Sequence, residues 1–178
     1  MTRLIPGATL ALGLLAAGAV WAAPTDNVVS QQPLDTDKIM GRWYEILRAP
    51  NKLQTNCFAA YQVWTRRAGD AYDIQQVCHR DSPEGRVDDV TVVARPLNPQ
   101  KTLYDTSFFG GLIHAKYAVT DHAADYSWLI ATTADGRFPK LLARAPGLPA
   151  AQQEAIKQRM AQLGFDVARL VPCSEPTS

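Results

Sequence analysis

From Trp43 to Ala145 the sequence is a series of short segments in which apolar and polar side chains alternate, separated by turn residues. A period of two places successive side chains on opposite faces of a β-strand. The segments recur about every dozen residues, and no helical pattern lies between them. This series indicates antiparallel strands joined in sequence, and eight such strands close into an up-and-down β-barrel that can hold one small ligand. The predicted fold is therefore all-β.

Each predicted strand ends at a turn or at a residue that breaks a strand. Ala68-Gly69-Asp70 and Ala134-Asp135-Gly136 are typical of hairpin turns, and Pro96-Leu97-Asn98-Pro99 interrupts the fourth strand. The predicted strands cover residues 43–48, 57–67, 71–80, 86–95, 102–108, 113–120, 126–133 and 138–145.

One helix is predicted after the strands, from Pro149 to Leu163, because its apolar residues recur at helical spacing. Pro149 suits the first helical turn, and Gly164 suits a left-handed stop. A short final strand is predicted over residues 165–171, at the edge of the barrel. The helix is expected to pack on the barrel wall.

The N-terminus is typical of a signal peptide that is removed on export. Arg3 precedes the apolar stretch from Leu4 to Val20, and Val20-Trp21-Ala22 places small residues where signal peptidase cleaves. The apolar stretch is long enough for a membrane anchor, but the small residues at its C-terminal end favour cleavage after Ala22. No cysteine is available there for a lipid anchor. The sequence thus predicts a signal peptide (1–22), a flexible tether (23–33), one domain (34–173) and a tail (174–178) in a soluble periplasmic protein.

Charge and motifs exclude several functions. Lys and Arg number 18 against 17 Asp and Glu, without a basic run, so nucleic acid and an anionic membrane surface are not expected partners. Transient contact with a membrane, including the outer membrane, remains open. No hydrolase, zinc-protease, redox or phosphate-loop motif is present. Cys78 and His79 would face opposite ways in a strand, so the chain is not expected to be an enzyme, and no catalytic or metal site is predicted.

Three cysteines, Cys57, Cys78 and Cys173, would enter an oxidising compartment after export. One disulfide and one free thiol are therefore expected. The spacing of the cysteines leaves all three pairings open.

Three short motifs resemble those of the lipocalins. Gly41-Arg42-Trp43 matches their G-x-W motif, and Thr120-Asp121 with Tyr126 is similar to their T-D-x-x-Y motif, with one extra residue before the tyrosine. Arg144 corresponds to the arginine of their third motif. The resemblance implies that Arg144 lies across the Trp43 indole at the barrel floor. Longer strings, such as Leu141 to Pro146 and Gly164 to Val167, resemble the bacterial lipocalin and apolipoprotein D branch.

That branch also implies a disulfide between Cys57 and Cys173, leaving Cys78 free. Alternation back from Arg144, together with the family's strand pattern, predicts the ligand-lining residues of the lumen. Most of them are aromatic or aliphatic, with a few hydroxyls and one amide, which suits an apolar body with a polar head. The predicted lining residues are Tyr61, Tyr72, Gln76, Val92, Tyr104, Phe108, Tyr117, Phe138 and Lys140. Lys140 is either a counter-charge for a carboxylate or phosphate or a lysine of the rim.

The resemblance implies a carrier of fatty acids or lysophospholipids in the cell envelope, a monomer or weak dimer with no cofactor. One alternative on the same barrel is a haem or tetrapyrrole carrier with an axial ligand such as His114. The other is an enzyme that acts on an apolar substrate, for which the sequence offers no assembled machinery. Glu45, inward beside Trp43, is expected to act as a structural hydrogen-bonding group.

Overall fold

The structure, a computed structural model, describes residues 28–173 and is an antiparallel β-barrel. The predicted signal peptide, the first part of the tether and the tail after Cys173 lie outside the described residues. Eight strands form the barrel, as predicted. They are β1 (Gly41–Arg48), β2 (Cys57–Arg67), β3 (Ala71–Arg80), β4 (Val87–Pro96), β5 (Leu103–Phe108), β6 (Ile113–His122), β7 (Trp128–Thr133) and β8 (Lys140–Ala143).

The barrel closes through β1. Strands β2 to β8 pair in chain order, and β1 then pairs with both β8 and β2. Tyr44, in the middle of β1, lies opposite Ala143 on one side and Tyr61 on the other. Closure leaves no long free sheet edge and encloses a lumen that only small molecules fit.

The single predicted helix is confirmed as α1 (Ala150–Gln162). Pro149 precedes its first residue, and Gly164 follows the helix with a φ of +90°, a conformation that glycine adopts without a steric penalty. Ile156 and Met160 are buried against the outer wall of the barrel, in a cluster that includes residues of β1, β7 and β8. The helix therefore supports the wall and lies outside the lumen.

The predicted final strand over residues 165–171 is wrong in its extent. Phe165 is buried beneath α1, and Val167–Arg169 forms one turn of 3-10 helix. Only Val171–Pro172 (β9) pairs with the sheet, opposite the last two residues of β1. The reason is that the rest of β1 already pairs with β2 and β8, so only its end offers free hydrogen-bonding groups.

The predicted disulfide is also wrong. The structure joins Cys57 to Cys78, and Cys173 is a free thiol. Cys57 and Cys78 lie on the neighbouring strands β2 and β3 with their Cα atoms 5.5 Å apart, within the usual range for a disulfide. Cys173 follows β9, and its sulfur accepts a hydrogen bond from Arg48 Nη1 at 2.7 Å.

Residues 28–33, the last part of the segment expected to be a tether, lie against the barrel. The Val28 side chain is buried, and the Val28 carbonyl accepts a hydrogen bond of 2.7 Å from the Thr120 hydroxyl. The Ser30 carbonyl accepts another, also of 2.7 Å, from Thr102. In the described part of the chain, no helix is long and apolar enough to cross a membrane.

Candidate ligand-binding site

The floor of the lumen is built around Trp43. The Arg144 guanidinium lies 3.7 Å from the centre of the indole ring, which confirms the contact expected from the motifs. The indole N–H donates to the Ile39 carbonyl at 2.7 Å, and Arg144 donates to the backbone carbonyls of Arg42 and Lys38. Gly41 makes the approach to the strand possible, because its φ of +91° lies in the left-handed region.

The second motif also lies at the floor end. The Tyr126 hydroxyl accepts a hydrogen bond of 2.7 Å from the Asp35 backbone N–H, in the turn before β1. The Tyr126 ring stacks on His122 with 4.3 Å between ring centres. Asp121 forms an ion pair with Arg159 of α1. These residues fasten the N-terminal turn and the helix to the barrel, which is a structural role.

Strand register shows which side chains face the lumen, because residues directly opposite each other share a face of the sheet. Gln62 lies opposite the inward Trp43, and Gln76 lies opposite Gln62. Tyr61 pairs with Tyr44 instead and faces outward, where the Arg42 guanidinium lies 4.4 Å from its ring centre. The prediction that Tyr61 lines the lumen is therefore wrong.

Three of the predicted lining residues belong to a packed lower layer. Tyr72, Tyr104 and Val92 face the lumen but are buried among Trp43 and Trp64. The ring centre of Tyr104 lies 5.5 Å from that of Trp64 and 6.0 Å from that of Tyr72. Burial raises the pKa of Tyr104 far above its usual value. This layer fills the closed half of the barrel, so a ligand has to bind above it.

The other predicted lining residues form an upper layer that solvent reaches. Gln76 and Lys140 are partly exposed and point inward on β3 and β8, and Phe138, also partly exposed, precedes β8. Phe108 and Tyr117 point inward on β5 and β6 and pack against the lower layer, with the Tyr117 ring centre 6.2 Å from that of Trp64.

A groove of about 460 Å³ lies at the rim of this end of the barrel, between β6 and the β7–β8 connection. His114, Lys116, Asp135 and Arg137 border it from outside the lumen, and Phe138 is the predicted lining residue that it touches. The Tyr117 hydroxyl and the Gln62 amide nitrogen are buried, and the two side chains lie close enough to interact with each other. The layer below is closed by packed aromatic side chains, so a ligand that enters the lumen binds among these upper side chains.

A cluster of buried charges lies in the lumen wall where β1 and β8 meet. The Glu45 carboxylate contacts Lys140 Nζ at 2.5 Å and Arg48 Nη1 at 3.5 Å, and it accepts a hydrogen bond of 2.8 Å from Gln54. Burial alone would raise the pKa of Glu45, but Lys140, Arg48 and Gln54 outweigh burial and lower that pKa below its usual value. Glu45 is thus ionised and fully engaged, as its expected structural role requires.

Sequence reasoning missed Arg48 and Gln54. Strict alternation from Trp43 places Arg48 on the outer face, but the register shifts between Glu45 and Leu47 and brings Arg48 opposite the inward Lys140. Nothing in the sequence marks this bulge. Gln54 lies in the connection between β1 and β2, where no strand pattern exists to predict its direction.

The cluster contains two cations, Lys140 and Arg48, and one carboxylate, that of Glu45. Its formal charge is +1, in a place where water is largely excluded. A partly buried excess of positive charge favours an anionic group more strongly than a lysine in water does, because little solvent screens it. The arrangement is suited to hold a carboxylate or a phosphate.

The residue proposed as a haem ligand does not reach the lumen. His114 lies on the outer face of β6, with Nδ1 3.0 Å from an Asp105 carboxylate oxygen and Nε2 3.1 Å from the Gly111 carbonyl. Both ring nitrogens are therefore engaged outside the barrel. Among residues 28–173, no group of three or more His, Cys, Asp or Glu side chains is placed to hold a metal ion.

Comparisons with known proteins agree with the geometry. Residues 34–175 match the family model of the lipocalin-like domain. No curated protein sequence matches the chain. Among solved structures, apocrustacyanin C1 is similar with a TM-score of 0.65 and 14% identity over 88% of each chain.

Two further solved structures have the same fold. Per a 4, a major allergen from cockroaches, has a TM-score of 0.63 and 16% identity, over 82% of this chain and 91% of the allergen. Lobster apocrustacyanin A1 has a TM-score of 0.61 and 13% identity, over 80% of this chain and 81% of that one. At these identities the likeness concerns the fold alone.

Proposed function

The chain belongs to the lipocalin family, whose barrels bind small hydrophobic ligands, and we propose that its lumen binds a single-chain amphiphile with an anionic head group. Fatty acids and lysophospholipids are the ligand classes that fit. The acyl chain lies in the upper layer, above the aromatic floor, and the head group contacts Lys140. The protein stores or transports such lipids in the periplasm, after export by its N-terminal signal peptide.

The observation that carries this proposal is the excess cation in the lumen wall. Lys140 and Arg48 share the single carboxylate of Glu45, so one positive charge has no anionic partner in the cluster. A neutral apolar ligand would gain nothing from that charge, and a cationic ligand would be repelled. A carboxylate or a phosphate would neutralise it.

The free energies of chain burial and of association favour exchange of the ligand over permanent capture. Burial of an acyl chain gains ~0.8 kcal/mol per methylene, so about twelve methylenes give roughly 10 kcal/mol. Association and ordering cost about 4–15 kcal/mol, which offsets much of this gain. The charge contact adds about 1.5–3 kcal/mol. With an association cost at the low end of that range, the net is about 8 kcal/mol, a micromolar affinity, and a higher cost makes binding weaker still, so the protein can take lipid from one membrane and release it to another.

The experiment compares a fatty acid with the fatty alcohol of the same chain length. Both ligands are titrated into the purified protein and into the Lys140→Met variant, in which the charge is removed and the apolar stem is kept. We expect the variant to bind the fatty acid about tenfold to a hundredfold more weakly, because the charge contact is lost. Its affinity for the alcohol should change little. Isothermal titration calorimetry gives both constants.

Lys157→Met is the matched control, because Lys157 lies on α1, outside the lumen. This variant should bind both ligands as the unmodified chain does. Equal weakening of acid and alcohol in Lys140→Met would mean that the substitution damaged the lumen in general. Unchanged binding of the acid would contradict the proposed role of Lys140.

A further inference from the structure

The open end of the barrel carries exposed apolar side chains on two of its connections. Leu53, between β1 and β2, is 81% exposed. Phe109 and Leu112, between β5 and β6, are 66% and 86% exposed, and Ile113 follows them at the start of β6. We call these four residues the mouth patch. Side chains that project so far into water cost free energy, so they indicate a surface that is covered in use.

The opposite end of the barrel is different. It is formed by the connections over residues 68–70, 97–102 and 123–127. Leu97, 48% exposed, is the exposed large apolar residue on those connections. The apolar side chains are thus concentrated at the end through which a ligand enters the lumen.

We propose that the mouth patch docks the protein on the surface of a lipid bilayer, with the lumen opening toward the acyl chains. This inference rests on the proposed lipid-carrier function and names the surface through which lipid is exchanged. Leu53, Phe109 and Leu112 enter the boundary between head groups and acyl chains. The rest of the barrel stays in water.

Shape favours a bilayer over a second protein. Leu53 lies on the β1–β2 connection, whereas Phe109 and Leu112 lie on the β5–β6 connection, so the patch is made of side chains from two separate segments. A protein partner needs a continuous surface of matching shape, whereas the fluid interface of a bilayer adapts to separate projecting side chains.

The charges beside the mouth patch also favour contact with a lipid bilayer. The two connections that carry the patch, residues 49–56 and 109–112, contain no acidic residue. Lys52 lies beside Leu53, and Lys116 follows Ile113 on β6. Both lysines are exposed, and neither forms an ion pair with a described residue. Such lysines are placed to contact anionic lipid head groups when the patch is inserted.

The test measures binding to vesicles of phosphatidylethanolamine and phosphatidylglycerol by sedimentation. The double variant Phe109→Ser and Leu112→Ser removes two of the four side chains of the patch, and Leu97→Ser is the matched control at the opposite end. We expect the partition coefficient of the double variant to fall about tenfold or more, and that of Leu97→Ser to stay unchanged. All variants share the same N-terminal segment, so differences between them report on the changed side chains.

A second measurement locates the contact. Leu112→Trp should be quenched by vesicles with brominated acyl chains, whereas Leu97→Trp should not. Equal sedimentation of the unmodified chain and the double variant, or quenching at residue 97 alone, would overturn the proposal. So would a dimer in analytical ultracentrifugation that the double variant abolishes while vesicle binding stays constant, because the patch would then join two copies.

Failure of this proposal is distinguishable from failure of the lipid-carrier function. Decanoate dissolved in buffer reaches the lumen without any membrane. If the protein binds decanoate, loses that binding in Lys140→Met and does not bind vesicles, the carrier function holds and the docking surface is excluded.

Discussion

Lys140 has one role in the empty barrel and a second in the proposed complex. Without ligand, its ammonium pairs with the Glu45 carboxylate at 2.5 Å. An incoming carboxylate or phosphate would share that ammonium, while Arg48 and Gln54 continue to hold Glu45. The charge cluster can therefore accept a head group without leaving Glu45 buried and unpaired, which would be costly.

Glu45→Gln tests the cluster through stability. The folded-state pKa of Glu45 lies below its ordinary value of 4.5, so the unfolded chain binds this proton more tightly than the folded chain does. The ion pairs therefore stabilise the protein above about pH 5 and lose their effect as the pH falls through the folded-state pKa. At pH 7 the variant should be less stable by about 3 kcal/mol. The difference from the unmodified chain should shrink as the pH falls below 4.5.

Urea unfolding at a series of pH values measures this difference directly. Glu154→Gln is the control, because Glu154 lies exposed on α1 and should change the free energy of unfolding little at any pH. A stability difference for Glu45→Gln that stayed constant from pH 7 to pH 3 would show that the Glu45 charge does not stabilise the fold.

At the scale of single residues, alternation along a strand shows which side chains share a face, but it does not show which face points into the lumen. It separates Tyr61 from Gln62 and Trp64 correctly, yet a strand alone does not show which face turns inward. The wrong choice at Tyr61 follows from that ambiguity. Arg48 is a different case, because a bulge reverses the alternation, and a bulge depends on the partner strand rather than on local sequence.

Elements with strong local signals match the sequence prediction closely. The bounds of β2 and β3 are the predicted ones, since a hairpin turn fixes the end of one strand and the start of the next. The C-terminal segment does not match, because its conformation depends on the free edge that β1 leaves. The predicted Cys57–Cys173 disulfide is wrong for the same reason. The position of the C-terminal segment depends on β1, and it places Cys173 beside Arg48.

The C-terminal segment makes the Cys173 thiol unreactive in the folded protein. Burial, together with the nearby Glu45 carboxylate, raises the pKa of Cys173 to about 12, although Arg48 and Lys140 oppose the shift. At pH 8 the thiolate is therefore scarce, and iodoacetamide should label Cys173 very slowly. After unfolding in guanidinium without reductant, one cysteine should react at once. Peptide mass mapping should identify it as Cys173.

The unlabelled pair should then appear as a linked peptide containing Cys57 and Cys78, which reducing agent separates. Labelling of Cys78 in the unfolded, unreduced chain would contradict the disulfide seen in the structure and restore the pairing that the family resemblance implied.

At the scale of the whole molecule, the short motifs predict closure of the barrel. The contact between Trp43 and Arg144 requires the first and last strands to meet, and they do. The sequence did not predict that the lower half of the lumen is packed and the upper half is not. That difference depends on how Trp64, Tyr72 and Tyr104, from three different strands, pack against one another. That packing determines how much of the lumen is left for a ligand, and sequence alternation carries no information about it.

Native mass spectrometry of the protein released from its own cells identifies the molecule that the lumen holds. We expect one bound molecule per chain, with a mass and fragmentation pattern of a fatty acid or a lysophospholipid, and a much smaller bound fraction in Lys140→Met than in Lys157→Met. A tetrapyrrole, a cationic ligand or an anionic lipid held equally well by both variants would contradict the proposed function.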